Sequence, residues 1–286
     1  MKRLIGWLGR GISYLLFRGP LGLRLAIGSF LAFLWFDLFR IRRKVVLDNI
    51  AIAFPDMPAA ERIRLGRRSL RYLGSNFVEY SLLPWLNKEN YTRFFEFHDM
   101  HILDEALAQG RGALMLTLHL GHGDLACAGL SLKGYRIVIA SKLFKARWLN
   151  DLWFGMRERL GTRFVPPRDS SYALLKALKT GSTVIIPLDQ FTGPPIGVRT
   201  TFFGRETGTA AGLAVMAERS KAPVVLCYTW RQADGRHAIR STKVIPTGDA
   251  PPEVVTQRFN DELEKVVREH PDQWMWIHKR WKKFKY

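Results

Sequence analysis

The chain has 286 residues, 47% of them hydrophobic and 24% charged, and a formal net charge of +19 at pH 7. These fractions suit a globular protein with a real core, in one large domain or two small ones, and exclude a disordered or fibrous chain. The positive charge favours a polyanionic partner, namely nucleic acid, anionic lipid head groups or an acidic protein. Cys127 and Cys227 are too few for a disulfide framework or a zinc cluster, so we expect buried free thiols in a protein that faces the cytosol.

The first 44 residues differ from the rest and predict a membrane-associated helical segment. Residues 1–18 place Lys and Arg among large apolar side chains, which is typical of an amphipathic helix on a membrane surface. The uncharged run 25–36 is shorter than the roughly 20 residues that span a bilayer, unless Arg24 reaches the interface. A basic cluster follows it. We therefore predict an anchor at 1–44, shallow or barely spanning, ahead of one domain at 45–286; a signal peptide or a buried core helix is the alternative.

The body of the chain predicts an α/β fold with a mostly parallel central sheet flanked by helices. Residues 59–83 have the apolar spacing of a helix. Beyond Gly112, short apolar runs alternate with helical patterns, as they do in parallel sheets. The predicted strands are 113–119, 135–140, 183–188 and 223–230, and the predicted helices between them are 146–160, 171–179 and 209–220. Residues 237–245 alternate in polarity and predict an edge strand, and Pro251 and Pro252 open a last helix.

Two polar residues follow the first strong strand, where open α/β sheets bind their ligands. In the segment LTLHLGHGDLA, His119 ends the strand and Asp124 falls near the start of the next helix. Gly121 and Gly123 permit a tight turn across which the two side chains could meet. Asp124 would then hold the imidazole in one tautomer, and His119 would act as general base on a hydroxyl that attacks an activated acyl group directly.

Spacing alone makes this H-x4-D pattern a weak signal, and turn capping by both side chains is the alternative. A metal site built from His119, His122 and Asp124 is weaker still, because the spacing is not HExxH and no helix carries both histidines. No G-x-S-x-G elbow occurs in the sequence, which argues against an ordinary serine hydrolase.

Several segments, in their order along nearly the whole chain, resemble the late acyltransferases of lipid A biosynthesis. That family is a branch of the wider lysophospholipid and glycerolipid acyltransferases. The segments that carry the resemblance are RRKVVLDNIAIAFPDM at 42–57, HLGHGD at 119–124, RERLG at 157–161, LDQFTG at 188–193, TTFFGRETGTAAG at 200–212 and HPDQWMWIHKRWK at 270–282.

The resemblance implies an enzyme of the cell inner membrane, with its catalytic domain on the cytoplasmic side and no cofactor or metal. It implies an acyl donor carried on acyl carrier protein or on coenzyme A. The other implied partners are a lipid acceptor and anionic membrane lipids.

The resemblance also implies roles for individual residues, beginning with His119 and Asp124 as the catalytic pair. Arg157 would bind the acceptor phosphate or brace the site, and Asp189 and Gln190 would line it. The residues that would shape the acceptor region are Phe202, Phe203 and Gly204. The aromatic residues that would anchor the C-terminal end at a lipid interface are Trp274, Trp276 and Trp281.

The chain departs from the family in the middle of this motif, which leaves the acceptor open. Many lipid A members read H-x-G-N-W-E where this chain has His122, Gly123 and Asp124. A lysophospholipid, a phosphoglycolipid or an aminolipid is therefore an alternative acceptor. A non-catalytic lipid-binding protein of the same fold is the alternative of another class. A nucleic-acid binder is disfavoured, because no recognised nucleic-acid module is visible and the apolar amino terminus would be unexplained.

Overall fold

The computed structural model describes residues 2–141, 143–166 and 170–284. Its α-helices are α1 (Lys2–Arg18), α2 (Leu21–Ala32), α3 (Arg43–Ala53), α4 (Ala59–Glu79), α5 (His101–Ala108), α6 (Gly123–Lys133), α7 (Arg147–Glu158), α8 (Ser170–Lys179), α9 (Gly212–Ser220) and α10 (Pro252–Glu269). Its strands are β1 (Phe95–His98), β2 (Ala113–Thr117), β3 (Ile137–Ala140), β4 (Arg163–Val165), β5 (Thr183–Pro187), β6 (Gly197–Phe202), β7 (Arg205–Ala210), β8 (Val224–Arg231) and β9 (His237–Ile245). A π-helix, Phe33–Leu38, continues α2, and 3-10 helices occupy Tyr80–Trp85 and Tyr91–Arg93.

Seven strands form the central sheet in the order β1-β9-β8-β2-β5-β3-β4. Every neighbouring pair is parallel except β8 and β9, which confirms the predicted α/β fold class. The prediction of an edge strand at 237–245 is wrong, because β1 pairs with the outer side of β9. The helix predicted over 209–220 begins only at Gly212, since β7 pairs with β6 in a separate antiparallel hairpin.

Two hydrophobic layers cover the two faces of the sheet. Side chains alternate along β2, so that Leu114 and Leu116 pack in the layer of α8, α9 and α10. Met115 packs in the opposite layer, with α5 and α6. Because helices cover both faces, the central strands are apolar and buried along most of their length. Functional groups are therefore confined to the strand ends.

The second helix packs closely on the body of the chain. It crosses α4 where Gly28 meets Gly74 and Ser75, and neither glycine leaves room for a side chain. The 18 residues Leu21–Leu38 are apolar and long enough for a membrane span by length and composition, and 22% of them are buried. The domain boundary predicted after residue 44 stays a prediction.

A buried ion cluster joins α2 to the sheet. Arg24 is 7% exposed and turns inward, so the prediction that it reaches the interface is wrong. Its guanidinium donates to the Leu16 carbonyl at 2.8 Å and lies 3.5 Å from the Glu79 carboxylate. Glu79 also accepts from Arg231 at 2.9 Å and lies 3.0 Å from Nε2 of His237. Burial alone would raise the pKa of Glu79, but His237 and Arg231 outweigh it and hold the pKa well below its usual range.

Removing the charge of Glu79 should destabilise the fold strongly. In Glu79→Gln, Arg24 and Arg231 stay buried without a counter-charge, so we expect the free energy of unfolding to fall by about 3–5 kcal/mol. Denaturant unfolding in detergent measures this change. The matched control is Glu206→Gln, whose partner Arg199 and own side chain are both about half exposed. There the expected loss is below about 1 kcal/mol. Equal losses would contradict the role given to the buried cluster.

Candidate functional site

His119 and Asp189 meet at the carboxyl edge of the sheet. His119 follows β2 and Asp189 follows β5, and the strand ends Thr117 and Pro187 are register partners, so the two side chains emerge side by side. Oδ1 of Asp189 accepts from the ring Nδ1 of His119 at 2.7 Å, and Oδ2 accepts from the backbone N–H of His119 at 2.9 Å. This double contact assigns the ring proton to Nδ1 and leaves Nε2, 3.3 Å from Nε2 of Gln190, as a proton acceptor.

The surroundings of the pair make His119 more basic than a free histidine. Burial lowers the pKa of His119, but the charge and hydrogen bond of Asp189 outweigh it and raise the pKa above its ordinary value. Burial raises the pKa of Asp189, but the contacts with His119 and the Trp274 indole N–H, 2.7 Å from Oδ2, lower it to about 2. Asp189 is therefore ionised at neutral pH.

Asp124 lies in the first turn of α6 and has other partners. Its Oδ1 accepts from Nη1 of Arg157 at 2.6 Å, and its Oδ2 accepts from the Tyr80 hydroxyl. The predicted contact between Asp124 and the His119 ring is therefore replaced: among the described residues, the carboxylate that accepts from that ring is Asp189. The reason is topological, since β5 runs beside β2 whereas the start of α6 turns towards α4 and α7. Asp124 acts on His119 through its charge, which raises the pKa of the ring.

Arg157 is an enclosed part of the site rather than a solvated charge on a helix face. It is 2% exposed, and its guanidinium lies 4.6 Å from the ring centroid of Trp153 and 5.0 Å from that of Phe164. Within the described part of the chain, its Nη2 has no hydrogen-bond partner. Nη2 is therefore a free donor beside the salt bridge to Asp124.

The turn between His119 and Asp124 is shaped by Gly121 and His122. Gly121 has a φ of +59°, and the Thr229 carbonyl lies where a side chain would stand, so only glycine fits. His122 caps α6, with Nδ1 accepting from the Leu125 N–H at 3.4 Å. Burial lowers the pKa of His122 to about 3, so the ring is neutral. No group of three or more His, Cys, Asp or Glu among the described residues is placed to hold a metal ion.

A cavity of about 700 Å³ opens at His119 and passes between α6 and the sheet. Its polar end carries His119, Asp124 and Arg157. The apolar side chains that line its other walls include Met115, Leu130, Ile139, Ile185 and Ile239. Both cysteines also line it, and burial raises the pKa of each thiol to about 12, so Cys127 and Cys227 are neutral and buried, as predicted.

The structure does not bring the β6–β7 turn to this cavity. Phe202 and Phe203 are buried in the core, where the ring centroids of Phe202 and Trp274 lie 5.7 Å apart in a tilted arrangement, and Gly204 has the positive φ, +68°, that the tight turn requires. The role of these three residues in acceptor binding stays a prediction, without support from their placement.

Sequence reasoning missed two residues of the site. Tyr80 has the spacing of a core residue in the helix predicted over 59–83, although in the structure it opens the 3-10 helix that follows α4, and no sequence signal distinguishes it as the partner of Asp124. Trp274 is predicted at a lipid interface, as is Trp276, but this is wrong, because they are only 2% and 0% exposed. The signal available in the sequence was a tryptophan next to Gln273 in a polar, charged segment. If such a tryptophan is buried, its indole N–H needs an acceptor, and this requirement indicates a polar partner.

Comparison with known proteins shows that this chain is similar in sequence to acyltransferases. A model of the bacterial lipid A biosynthesis acyltransferase family matches residues 1–283. The lipid A biosynthesis lauroyltransferase of Escherichia coli (strain K12) is 25% identical over 283 residues, covering 96% of this chain and 90% of that protein. The palmitoleoyltransferase of the same organism is 23% identical over 286 residues, with the same coverage. The phosphatidylinositol mannoside acyltransferase of Mycobacterium tuberculosis (strain CDC 1551 / Oshkosh) is 25% identical over 240 residues, covering 82% of this chain and 75% of that protein.

Titration of the His119 ring by NMR should distinguish the two carboxylates. We expect a pKa above that of a free histidine in the unaltered protein, because Asp189 stabilises the imidazolium. Asp189→Asn should lower this pKa most, since it removes the charge that lies in direct hydrogen-bond contact with the ring. Asp124→Asn should lower it less, since Asp124 acts through its charge alone. The exposed His101 serves as the internal reference. A larger effect of Asp124→Asn would contradict the pairing described above.

Proposed function

Because this chain belongs to the bacterial lipid A biosynthesis acyltransferase family and is an acyltransferase, we propose that it transfers a fatty acyl chain from a thioester donor to a hydroxyl of a lipid A precursor or related glycolipid. The observation that carries this proposal is the His119 ring, held by Asp189 at the polar end of an apolar cavity. A base at the head of a hydrocarbon-lined space suits a reaction between a lipid hydroxyl and an acyl chain.

In the proposed reaction, Nε2 of His119 takes the proton of the acceptor hydroxyl as its oxygen attacks the thioester carbonyl carbon. The C–O bond forms, the C–S bond then breaks, and the proton passes from His119 to the leaving thiolate. Asp189 holds the ring and stabilises its protonated form during the step. Neither cysteine is needed as a nucleophile, and both thiols lie in the cavity as neutral groups.

We assign Asp124 to the positioning of Arg157 rather than of His119. The salt bridge at 2.6 Å holds Nη1, and Tyr80 braces the other carboxylate oxygen. Nη2 of Arg157, which has no hydrogen-bond partner among the described residues, would then be the charged donor from which an acceptor phosphate or the thioester oxygen accepts. In the motif H-x4-D, His119 would thus act as the base and Asp124 would hold Arg157.

The acyl chain is proposed to occupy the cavity between α6 and the sheet. Its walls are apolar around Met115, Ile185 and Cys227, and burial of methylene groups there is favourable at about 0.8 kcal/mol each. This placement puts the thioester carbonyl at the polar end, next to His119.

Acyl carrier protein is our proposed donor, with coenzyme A as the alternative. Acyl carrier protein is acidic, and the face of α4 that points away from the cavity exposes Arg64, Arg67 and Arg71. The opposite face of α4 lines the cavity through Leu73 and Asn76. A basic surface behind the cavity wall would attract an acidic carrier without blocking the acceptor.

We propose that the N-terminal helices lie on the cytoplasmic face of the inner membrane rather than cross it. Arg24 turns α2 towards the protein and leaves Phe30 and Phe33 exposed on its outer side, 59% and 52% respectively. Two side chains on α7, Trp148 and Leu152, are also exposed, 69% and 52%. Both α1 and α7 pack on the 3-10 helix Tyr80–Trp85, so their apolar surfaces can form one membrane-facing side. Nearby Lys and Arg side chains would bind anionic lipid.

Mass spectrometry of the purified full chain in detergent tests the reaction. Donors are acyl carrier protein and coenzyme A loaded with several chain lengths; acceptors are a lipid A precursor, a phosphatidylinositol mannoside, a lysophospholipid and an aminolipid. We expect transfer to a glycolipid, and His119→Ala should lower the rate by roughly 10²–10⁴-fold because the general base is lost. His101→Ala, on an exposed helix turn, is the control. Transfer only to a lysophospholipid or aminolipid would change the acceptor. No transfer by folded protein would favour a non-catalytic lipid-binding protein.

Flotation with lipid vesicles tests the membrane-facing side. Replacing Trp148 and Leu152 together by Ser should weaken binding to vesicles that contain anionic lipid by roughly tenfold or more, because two apolar side chains no longer enter the membrane. Tyr172→Ser on α8 is the matched control, since it is an exposed aromatic residue, 76%, on a helix of the opposite layer. Unchanged flotation of the double variant would indicate that the N-terminal segment alone, as a spanning helix, holds the protein.

A further inference from the structure

The last described residues of the chain, 270–284, form a strap that runs beneath the catalytic loops. Its backbone pairs with the loop after β2: the Gly121 N–H donates to the Gln273 carbonyl at 3.1 Å, and the Met275 N–H donates to the His119 carbonyl at 3.0 Å. Leu120 and Trp274 form an antiparallel bridge between these bonds. The strap therefore fixes the backbone on both sides of His119.

The same strap also forms hydrogen bonds with the loop after β5. The indole N–H of Trp274 donates to Oδ2 of Asp189 at 2.7 Å. Arg280, fully buried, donates to the Gln190 carbonyl at 3.0 Å, and the Phe191 N–H donates to Nε2 of His278 at 3.1 Å. One segment thus holds both loops in register.

We infer that Trp274 is a positioning residue for His119: its indole N–H orients the Asp189 carboxylate and limits how strongly that carboxylate draws a proton onto the ring. The inference rests on the proposed function, in which neutral His119 is the base. Oδ2 of Asp189 receives two donors, the backbone N–H of His119 and the indole of Trp274, while Oδ1 receives the ring N–H. This leaves the buried carboxylate oriented by both of its neighbouring segments.

The sign of the effect follows from charge. A hydrogen bond from Trp274 withdraws negative charge from Asp189, and removing it leaves a carboxylate that stabilises the imidazolium more strongly. More of the protein would then carry a protonated His119 at a given pH and would lack its base. Among the described residues, the other charged or titratable groups that act on the ring or on Asp189 are Asp124, bound to Arg157, then His278, whose pKa burial lowers to about 4, and Arg280, whose charge acts on Asp189. A change at Trp274 leaves these groups in place.

The test compares Trp274→Phe with Trp276→Phe in the full chain. Both tryptophans lie in the strap and both are buried, and their ring centroids lie 4.5 Å apart. The Trp276 indole, however, donates to the Pro271 carbonyl at 2.7 Å and not to Asp189. The two variants therefore lose the same ring area and one hydrogen bond each, and differ in which group loses its donor.

For Trp274→Phe we expect the acid limb of kcat/KM to move to higher pH. A bond of this strength predicts a loss of roughly three- to tenfold at pH values below the pKa of His119, and this loss should largely disappear well above that pKa. The NMR titration of the His119 ring should move in the same direction. Trp276→Phe should lower thermal stability by about as much as Trp274→Phe does. It should move neither the pH profile of kcat/KM nor the titration of the His119 ring. Equal shifts in the two variants, or none in Trp274→Phe, would overturn the inference and make the strap a packing element only.

A measurement on the unaltered protein covers the case in which Trp274→Phe fails to fold. The indole N–H resonance of Trp274 should move with pH in step with the His119 ring, while that of Trp276 should not. Independent movement would overturn the inference. If the protein folds but transfers no acyl chain, the proposed function fails, and the two NMR titrations still decide whether Trp274 is coupled to His119.

Discussion

The Asp189 carboxylate is the contact on which the site depends. A carboxylate this deeply buried is unfavourable unless every lone pair has a donor, and here the donors come from separate parts of the chain. The loop after β2 supplies the ring and backbone N–H of His119, and the C-terminal strap supplies the indole of Trp274. The charge that raises the pKa of His119 is therefore also the charge that holds these segments together. Chemistry and folding stability at this edge of the sheet cannot be separated.

A second buried carboxylate, Glu79, joins the N-terminal helices to the sheet, just as Asp189 joins the separate segments of the site. It forms salt bridges with Arg24 from α2 and Arg231 from β8, and it contacts His237 from β9. Because Glu79 ends α4 and Tyr80 follows it directly, the cluster lies next to the residue that braces Asp124. The proposed membrane-facing helices are thus connected to the carboxyl edge of the sheet through packed, charged groups rather than through a flexible linker.

The fold was largely predictable because its signals are local. Apolar runs such as ALMLT at β2 and TVIIP at β5 alternate with helical spacing, and this pattern occurs in parallel sheets covered on both faces. The errors fall where pairing depends on distant partners. The alternation in β9 resembles that of an edge strand, but β1, a four-residue strand that the sequence hardly marks, covers it. Likewise, the pattern at 209–212 reads as helix until β6 is available to pair with β7.

The sequence by itself determined the fold class, the resemblance to an acyltransferase family and the placement of His119 and Asp124 at one sheet edge, and the resemblance implied that Arg157 and Asp189 belong to the same site. Each of these follows from a local pattern or from the order of segments along the chain. Only the tertiary structure decided which carboxylate holds His119. Sequence proximity favours Asp124, five residues away, but neighbouring parallel strands bring together residues that lie far apart in the chain, and β5 is the neighbour of β2. The direction in which a side chain points depends on the elements packed against it. Those elements come from distant parts of the chain, and the sequence around the residue does not indicate which ones they are.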